Sequence, residues 1–159
     1  MKLIQAGKEA VNTIKDIDTV FNSLQQISGA TDQQIDSLKT SYTDLAKELS
    51  ATVTDIGKIS EAWVRTGDDV MDEASMDKLI EATTIFQKTS GLSAEDSQKY
   101  LVAAMRGFEM TTDQVLYVAD VSETLDKNAA VSASEIAEGL SRVASAAHMA
   151  GIEFETLSS

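Results

Sequence analysis

The chain has 159 residues with no cysteine, no proline and one histidine, and its 26 Asp and Glu outweigh 13 Lys and Arg for a formal charge of −13. Disulfides, thiolate catalysis and Cys-based zinc sites are excluded. Sequence-specific DNA or RNA binding is disfavoured, because it rests on Lys and Arg neutralising phosphates. A chain this long can bury roughly two-thirds of the surface it exposes when unfolded, so it needs no staple. Average proline usage of about 5% would place roughly eight in it. Their absence suits long helices, whose ladders proline breaks. The acidity suits solubility, and its sharper use would be to face a negatively charged passage or a basic partner.

The opening "MKLIQAGKEAVNTIKDID" has a short apolar run that meets Lys8, Glu9, Lys15 and Asp16 before a signal-peptide core could form, so no secretion signal is expected. From there the chain divides into helices. A hydroxyl or short acid three residues ahead of Asp, Glu or Gln can satisfy the free amides of a helix start. This pattern recurs at Thr31 with Gln34, Thr52 with Asp55, Asp69 with Asp72, Ser93 with Asp96, Thr111 with Gln114 and Ser132 with Glu135. Gly29, Gly67, Gly91 and Gly151 lie where left-handed residues would end helices. "GIEFETL" at 151–157 is a further start, but Glu153 stands where the others place Ser, Thr or Asp. The chain stops one turn later, and we expect it to be part of a longer one.

Between residues 3 and 63, positions alternately three and four apart read Leu3, Gly7, Ala10, Ile14, Ile17, Phe21, Leu24, Ser28, Thr31, Ile35, Leu38, Tyr42, Leu45, Leu49, Thr52, Ile56, Ile59 and Trp63. This is a heptad seam kept in phase through two predicted breaks. Ile4, Val11, Val20 and Ile27 widen it beyond a strict two-stranded stripe, which favours a bundle or higher assembly. Joined end to end, these helices would reach roughly 95 Å at about 1.5 Å per residue. Two packings are therefore expected of one chain, capped helices folded back on each other and an extended, mutually paired form.

From residue 69 the stripes are those of ordinary amphipathic helices: Met76, Leu79, Ile80, Thr83 and Phe86; Leu101, Ala104, Met105 and Phe108; Val115, Val118, Ser122 and Leu125; Ile136, Leu140, Val143 and Ala147. The expected fold is all-α, a multi-helix bundle or helical array, with a heptad-patterned region over 1–66 (about three helices) and a second helical domain over 67–159. Residues 129–152 are weakly polar but carry Glu135, Glu138 and Arg142, so no membrane span is expected.

His148 invites a chemical role, yet no second histidine or cysteine exists and neither Glu-x-x-His nor His-Glu-x-x-His occurs. A histidine in a last helical turn also complements the helix dipole, and a structural role is expected. Trp63 ends the seam and is expected to anchor packing. The acid pairs Asp68 and Asp69, and Glu95 and Asp96, have the residue types of a glycosidase dyad but sit at helix starts, where acids belong anyway. "RTGDDV" lacks the glycines and lysine of a phosphate loop. No catalytic, cofactor-binding or metal-binding residue is expected.

Three stretches, Trp63 to Gly67, "SAEDSQKYLVAAMRGFEM" and "AVSASEIAEGLSRVASAAHMAGI", stand in an order and spacing that resemble the core region of phage tail tape measure proteins. The likeness extends over roughly residues 45–157. It implies a non-enzymatic structural protein of the virion, lying in the lumen of the tail tube after assembly in the host bacterial cytoplasm. Such a protein sets tail length by its own length, scaffolds the tube and leaves during genome ejection. The implied partners are the tail-tube protein, tail-assembly chaperones and tail-tip proteins, with self-association through the 3–63 seam. The alternative is a soluble coiled-coil adaptor or signalling module that dimerises through that seam.

Overall fold

A computed structural model describes residues 2–68 and 72–119, together with Glu135 and Gly139. Every element among the described residues is helical and none is a strand, so the fold is all-α. The chain forms two compact units, Met1–Asp72 and Glu73–Ser159.

The first unit holds α1 (Lys2–Ser28), α2 (Asp32–Glu48) and α3 (Val53–Thr66), each in contact with the other two. The seam turns inward. Phe21, Leu24, Ile35, Leu38, Tyr42, Ile56, Ile59 and Trp63 are all buried, while Ile17, Leu45 and Leu49 are half-buried. The Phe21 and Tyr42 rings lie 5.9 Å apart in a tilted arrangement. Tyr42 reaches a polar partner inside the core, its hydroxyl 2.6 Å from Ser60 Oγ. At the rim, Ser23 Oγ donates to Glu61 at 2.8 Å, and the same carboxylate accepts from Arg65 Nε at 3.1 Å. With 27 residues, α1 outlasts the 17-residue α2 and 14-residue α3, and its Ile14 is 59% exposed.

The second unit contains α4 (Glu73–Ser90), α5 (Ala94–Gly107) and a helical stretch at 112–119. Met76, Leu79, Ile80, Ala82, Thr83, Thr84 and Phe86 are buried, a face so broad that α4 is largely interior. The Thr83 and Thr84 hydroxyls satisfy themselves on the carbonyls of Leu79 and Ile80, 2.7 and 2.8 Å away. Leu101, Ala104, Val115 and Val118 are buried, whereas Met105 and Phe108 are half-buried. Lys78 Nζ pairs with Asp113 at 2.6 Å and ties α4 to 112–119.

Four of the expected helix starts are capped as the sequence implies. Thr31 and Thr111 form reciprocal boxes, each giving its backbone N–H to Gln34 or Gln114 Oε1 at 2.8 Å. Thr52 and Ser93 accept from the amides of Asp55 and Asp96 at 3.1 and 3.0 Å, but those acids take the hydroxyl proton instead of the cap amide. Aspartate is one methylene too short to reach back. The start expected at Asp69 is corrected: Asp72 is still non-helical and α4 begins at Glu73. Asp68, Asp69 and Asp72 are all chemically able to cap; only Asp69 has an acid three residues on, so the spacing favours it over Asp72, which directly precedes α4. Asp69 itself, Ser132, Gly151 and the stripes beyond residue 119 lie outside the described residues.

The helices reverse through one recurring turn. A left-handed residue stands two positions before each Ser or Thr cap, with an apolar residue between: Gly29 (φ 71°), Ala30, Thr31; Ser50 (φ 49°), Ala51, Thr52; Gly91 (φ 69°), Leu92, Ser93; Glu109 (φ 53°), Met110, Thr111. In both glycine turns the preceding serine, Ser28 or Ser90, donates to the carbonyl four residues back and accepts from the amide two residues on.

α1 and α3 pack tightly at Gly57, where a Cβ would stand 2.5 Å from Val20 Cγ1. Gly57→Ala gains about 1 kcal/mol in helix propensity but incurs about 1–3 kcal/mol of overpacking against a stiff β-branched side chain. We expect Gly57→Ala to lower stability in the natural chain and to raise it in a Val20→Ala background, measured by urea unfolding. Equal effects in both backgrounds would show that the contact does not limit helix approach.

Candidate functional site

Trp63 sits in the last turn of α3 and is fully buried. Helix closure surrounds it. Its carbonyl accepts from the Asp68 amide at 3.3 Å and from Thr66 Oγ1 at 2.7 Å, and left-handed Gly67 (φ 105°) completes the stop. Asp68 belongs to the same stop, its carboxylate 3.0 Å from the Thr66 hydroxyl. The stretch "WVRTG" is therefore a packed helix end in which the tryptophan is an anchor.

Glu95 and Asp96 occupy the first turn of α5, where exposed amides favour negative charge. Asp96 is engaged with the Ser93 cap, and Lys99 lies 2.9 Å from Glu95 and 3.5 Å from Asp96. The hydrogen bond and charge of Glu95 hold the Lys99 ammonium above its ordinary 10.5. Both acids are exposed on one helix surface and serve capping and ion pairing. Asp69 and His148 lie outside the described residues.

Among the described residues, no group of three or more His, Cys, Asp or Glu is placed to hold a metal ion, and no helix is long and apolar enough to cross a membrane. The outer surface of the first unit carries Asp16, Asp18, Asp32, Asp36, Asp44, Glu48 and Asp55, all exposed. Its ion pairs, such as Lys39 with Asp18 at 3.8 Å and Lys47 with Asp44 at 2.8 Å, are solvent-facing and each contributes about 0–1 kcal/mol.

Ser50 and Glu109 are left-handed without being glycine, so glycine alone does not mark every helix end here. Both stand two residues before the next cap, an offset that only the backbone angles make visible.

Inward-facing seams under an acidic skin, with the distinctive side chains engaged in caps and core, define a helical packing protein. Residues 43–159 match the family of phage-related minor tail proteins, which is most of the chain, and the chain belongs to that family. The match begins within α2 and so takes in parts of both units. No solved structure matches the chain. Its role is that of a structural component of a phage tail.

Because Trp63 is the chain's one tryptophan, its emission reports on the first unit alone. We expect blue-shifted fluorescence that moves red in a single step with urea. Trp63→Phe should be tolerated better than Trp63→Ala, which should cost about 3–5 kcal/mol. Emission already red-shifted in the native chain would contradict the anchoring role.

Proposed function

We propose that this chain is a segment of a tail tape measure protein, non-enzymatic, which lies in the tail-tube lumen, sets tail length by its own helical length and leaves with genome ejection. The seam carries this reading. Eighteen positions between residues 3 and 63 keep one heptad phase through two turns, as a chain needs if it is to serve both as a compact bundle and as an extended, mutually paired rod. The family membership supplies the tail. Tail-tube subunits, tail-assembly chaperones and tail-tip proteins are the partners this role requires, with assembly in the host cytoplasm before the virion is complete.

The adaptor alternative needs the seam free for dimerisation. In the folded first unit, the seam from Phe21 to Trp63 lies largely inside one chain. This observation and the tail family together favour the tape reading.

Denaturing gels and immunoblots of purified particles and of lysed producer cells test it. We expect a band far above the 17.1 kDa of these 159 residues in the particles, with a residue count that tracks tail length at about 1.5 Å per helical residue. A cytosolic band near 17.1 kDa, absent from particles, would sink the tape reading and restore the adaptor.

A further inference from the structure

We infer that the α2–α3 junction is a read-through hinge at which a second copy of this chain exchanges α3. The exchange joins α2 and α3 into one helix over residues 32–66 and rebuilds the three-helix core between two chains. The inference concerns the first unit alone and stands whatever the role in the tail.

Four observations carry it. Ser50 closes α2 in the left-handed region at φ 49°, a conformation that crowds any side chain and that glycine enters freely; the matching residue of the α1–α2 turn is Gly29 at φ 71°. Strain is thus confined to one of the two turns. Next, the segment "LAKELSATVTDI", residues 45–56, contains neither glycine nor proline, so nothing in it forbids a continuous helix. Third, Leu45, Leu49, Thr52 and Ile56 follow one another at spacings of four, three and four. A straight helix would present the same face throughout.

The fourth concerns what straightening would lose. Three contacts that join α3 to α1 and α2 lie outside the turn: Val20 against Gly57, Ser23 with Glu61 and Tyr42 with Ser60. All three re-form between copies. Among the bonds the turn gives up are the Ala51 amide bond to Ala46 O at 2.9 Å, the Ser50 amide bond to Lys47 O at 3.3 Å and the Thr52 cap. It gains ordinary helical hydrogen bonds and relief of Ser50. The midpoint of 32–66 is residue 49, so two such helices crossing antiparallel would meet at Leu49, which with Leu45 is only half-buried in the folded-back form. Short hinges under strain are a known route to this kind of exchange.

A disulfide can distinguish exchange from any other association. A Cβ built at Gly57 lies 3.7 Å from Val20 Cβ, within the roughly 3.5–4.5 Å that a disulfide spans. The chain has no cysteine of its own. Full chains carrying Val20→Cys alone and Gly57→Cys alone, tagged to differ in size, are mixed at rising concentration and oxidised. We expect a mixed dimer joined between Cys introduced at 20 and at 57, increasing with salt as repulsion between two chains of charge −13 is screened. Ser50→Gly, which relaxes the turn and weakens the continuous helix, should raise the dimer dissociation constant roughly tenfold or more, and Thr52→Ala should lower it several-fold. A chain that stays monomeric at every concentration would overturn the inference. So would a dimer lacking the 20–57 link, which would assign association to another surface such as the Ile14 face. If the cysteine variants fail to fold, sedimentation of the unaltered chain against Ser50→Gly decides, and equal dissociation constants would overturn it.

Discussion

The turn that joins one helix to the next is the constraint on which the remaining structure depends. A helix end leaves four carbonyls unsatisfied and the following start leaves four amides, yet only a few residues separate successive helices here. The left-handed residue bends the chain so that the next amides return to the last carbonyls, as with Ala51 to Ala46 O and Met110 to Met105 O. Two positions on, the Ser or Thr hydroxyl accepts from the incoming helix. Between them the apolar residue is buried in two turns, with Ala30 and Met110 only 8% and 7% exposed, and half-buried at Ala51 and Leu92 in the others. One three-residue device satisfies both helix ends and adds to the core. Without it an in-phase seam would have no reason to reverse.

Reversal decides what the seam touches. Folded back, its large residues meet one another around Leu24, Ile56 and Trp63, and α1 approaches α3 closely enough that position 57 has no room for a side chain. The polar interior is small and paired, Tyr42 with Ser60, which fixes the depth at which α2 sits against α3. Most of the unit's described acids are exposed and hydrated, while half-buried Glu61 accepts from both Ser23 and Arg65. Burial of apolar area, at about 25 cal/mol per Å², therefore holds the unit together, and charge contributes little to its stability.

The helix starts at Thr31, Thr52, Ser93 and Thr111 were legible because capping is local chemistry within four residues. The seam was legible because burial follows the helical period wherever helices pack side by side. Helix ends were harder. Gly29, Gly67 and Gly91 stood out, whereas Ser50 and Glu109 adopt the same left-handed conformation without its usual residue, because the closing hydrogen bonds of the turn outweigh the local crowding. Asp69 fits the spacing through Asp72, yet α4 begins only after Asp72, because a short acid can cap without an acid three residues on. At the candidate sites, Trp63 and the pair Glu95 and Asp96 were legible for the same reason as the caps: helix-end chemistry explains them without a ligand. The fixed offset between left-handed residue and cap could be seen only once backbone angles were known, since it links a residue of no fixed type to one that varies between Ser and Thr.

A tail component with this charge associates under a specific handicap. Two such chains repel at separations beyond the Debye length of about 8 Å at physiological ionic strength only weakly, but strongly within it, so approach is penalised just where contact would form. Association must then rest on short-range apolar contact, and in the first unit the apolar surface is the seam that its own turns enclose. Opening a turn is what would make that surface available, and of the two turns within the first unit the α2–α3 turn carries a left-handed serine where the α1–α2 turn has glycine. The same residues that make the first unit compact thereby set the condition for its pairing: a partner copy must present an equivalent seam in the same register, because the exposed acids of the first unit oppose its approach.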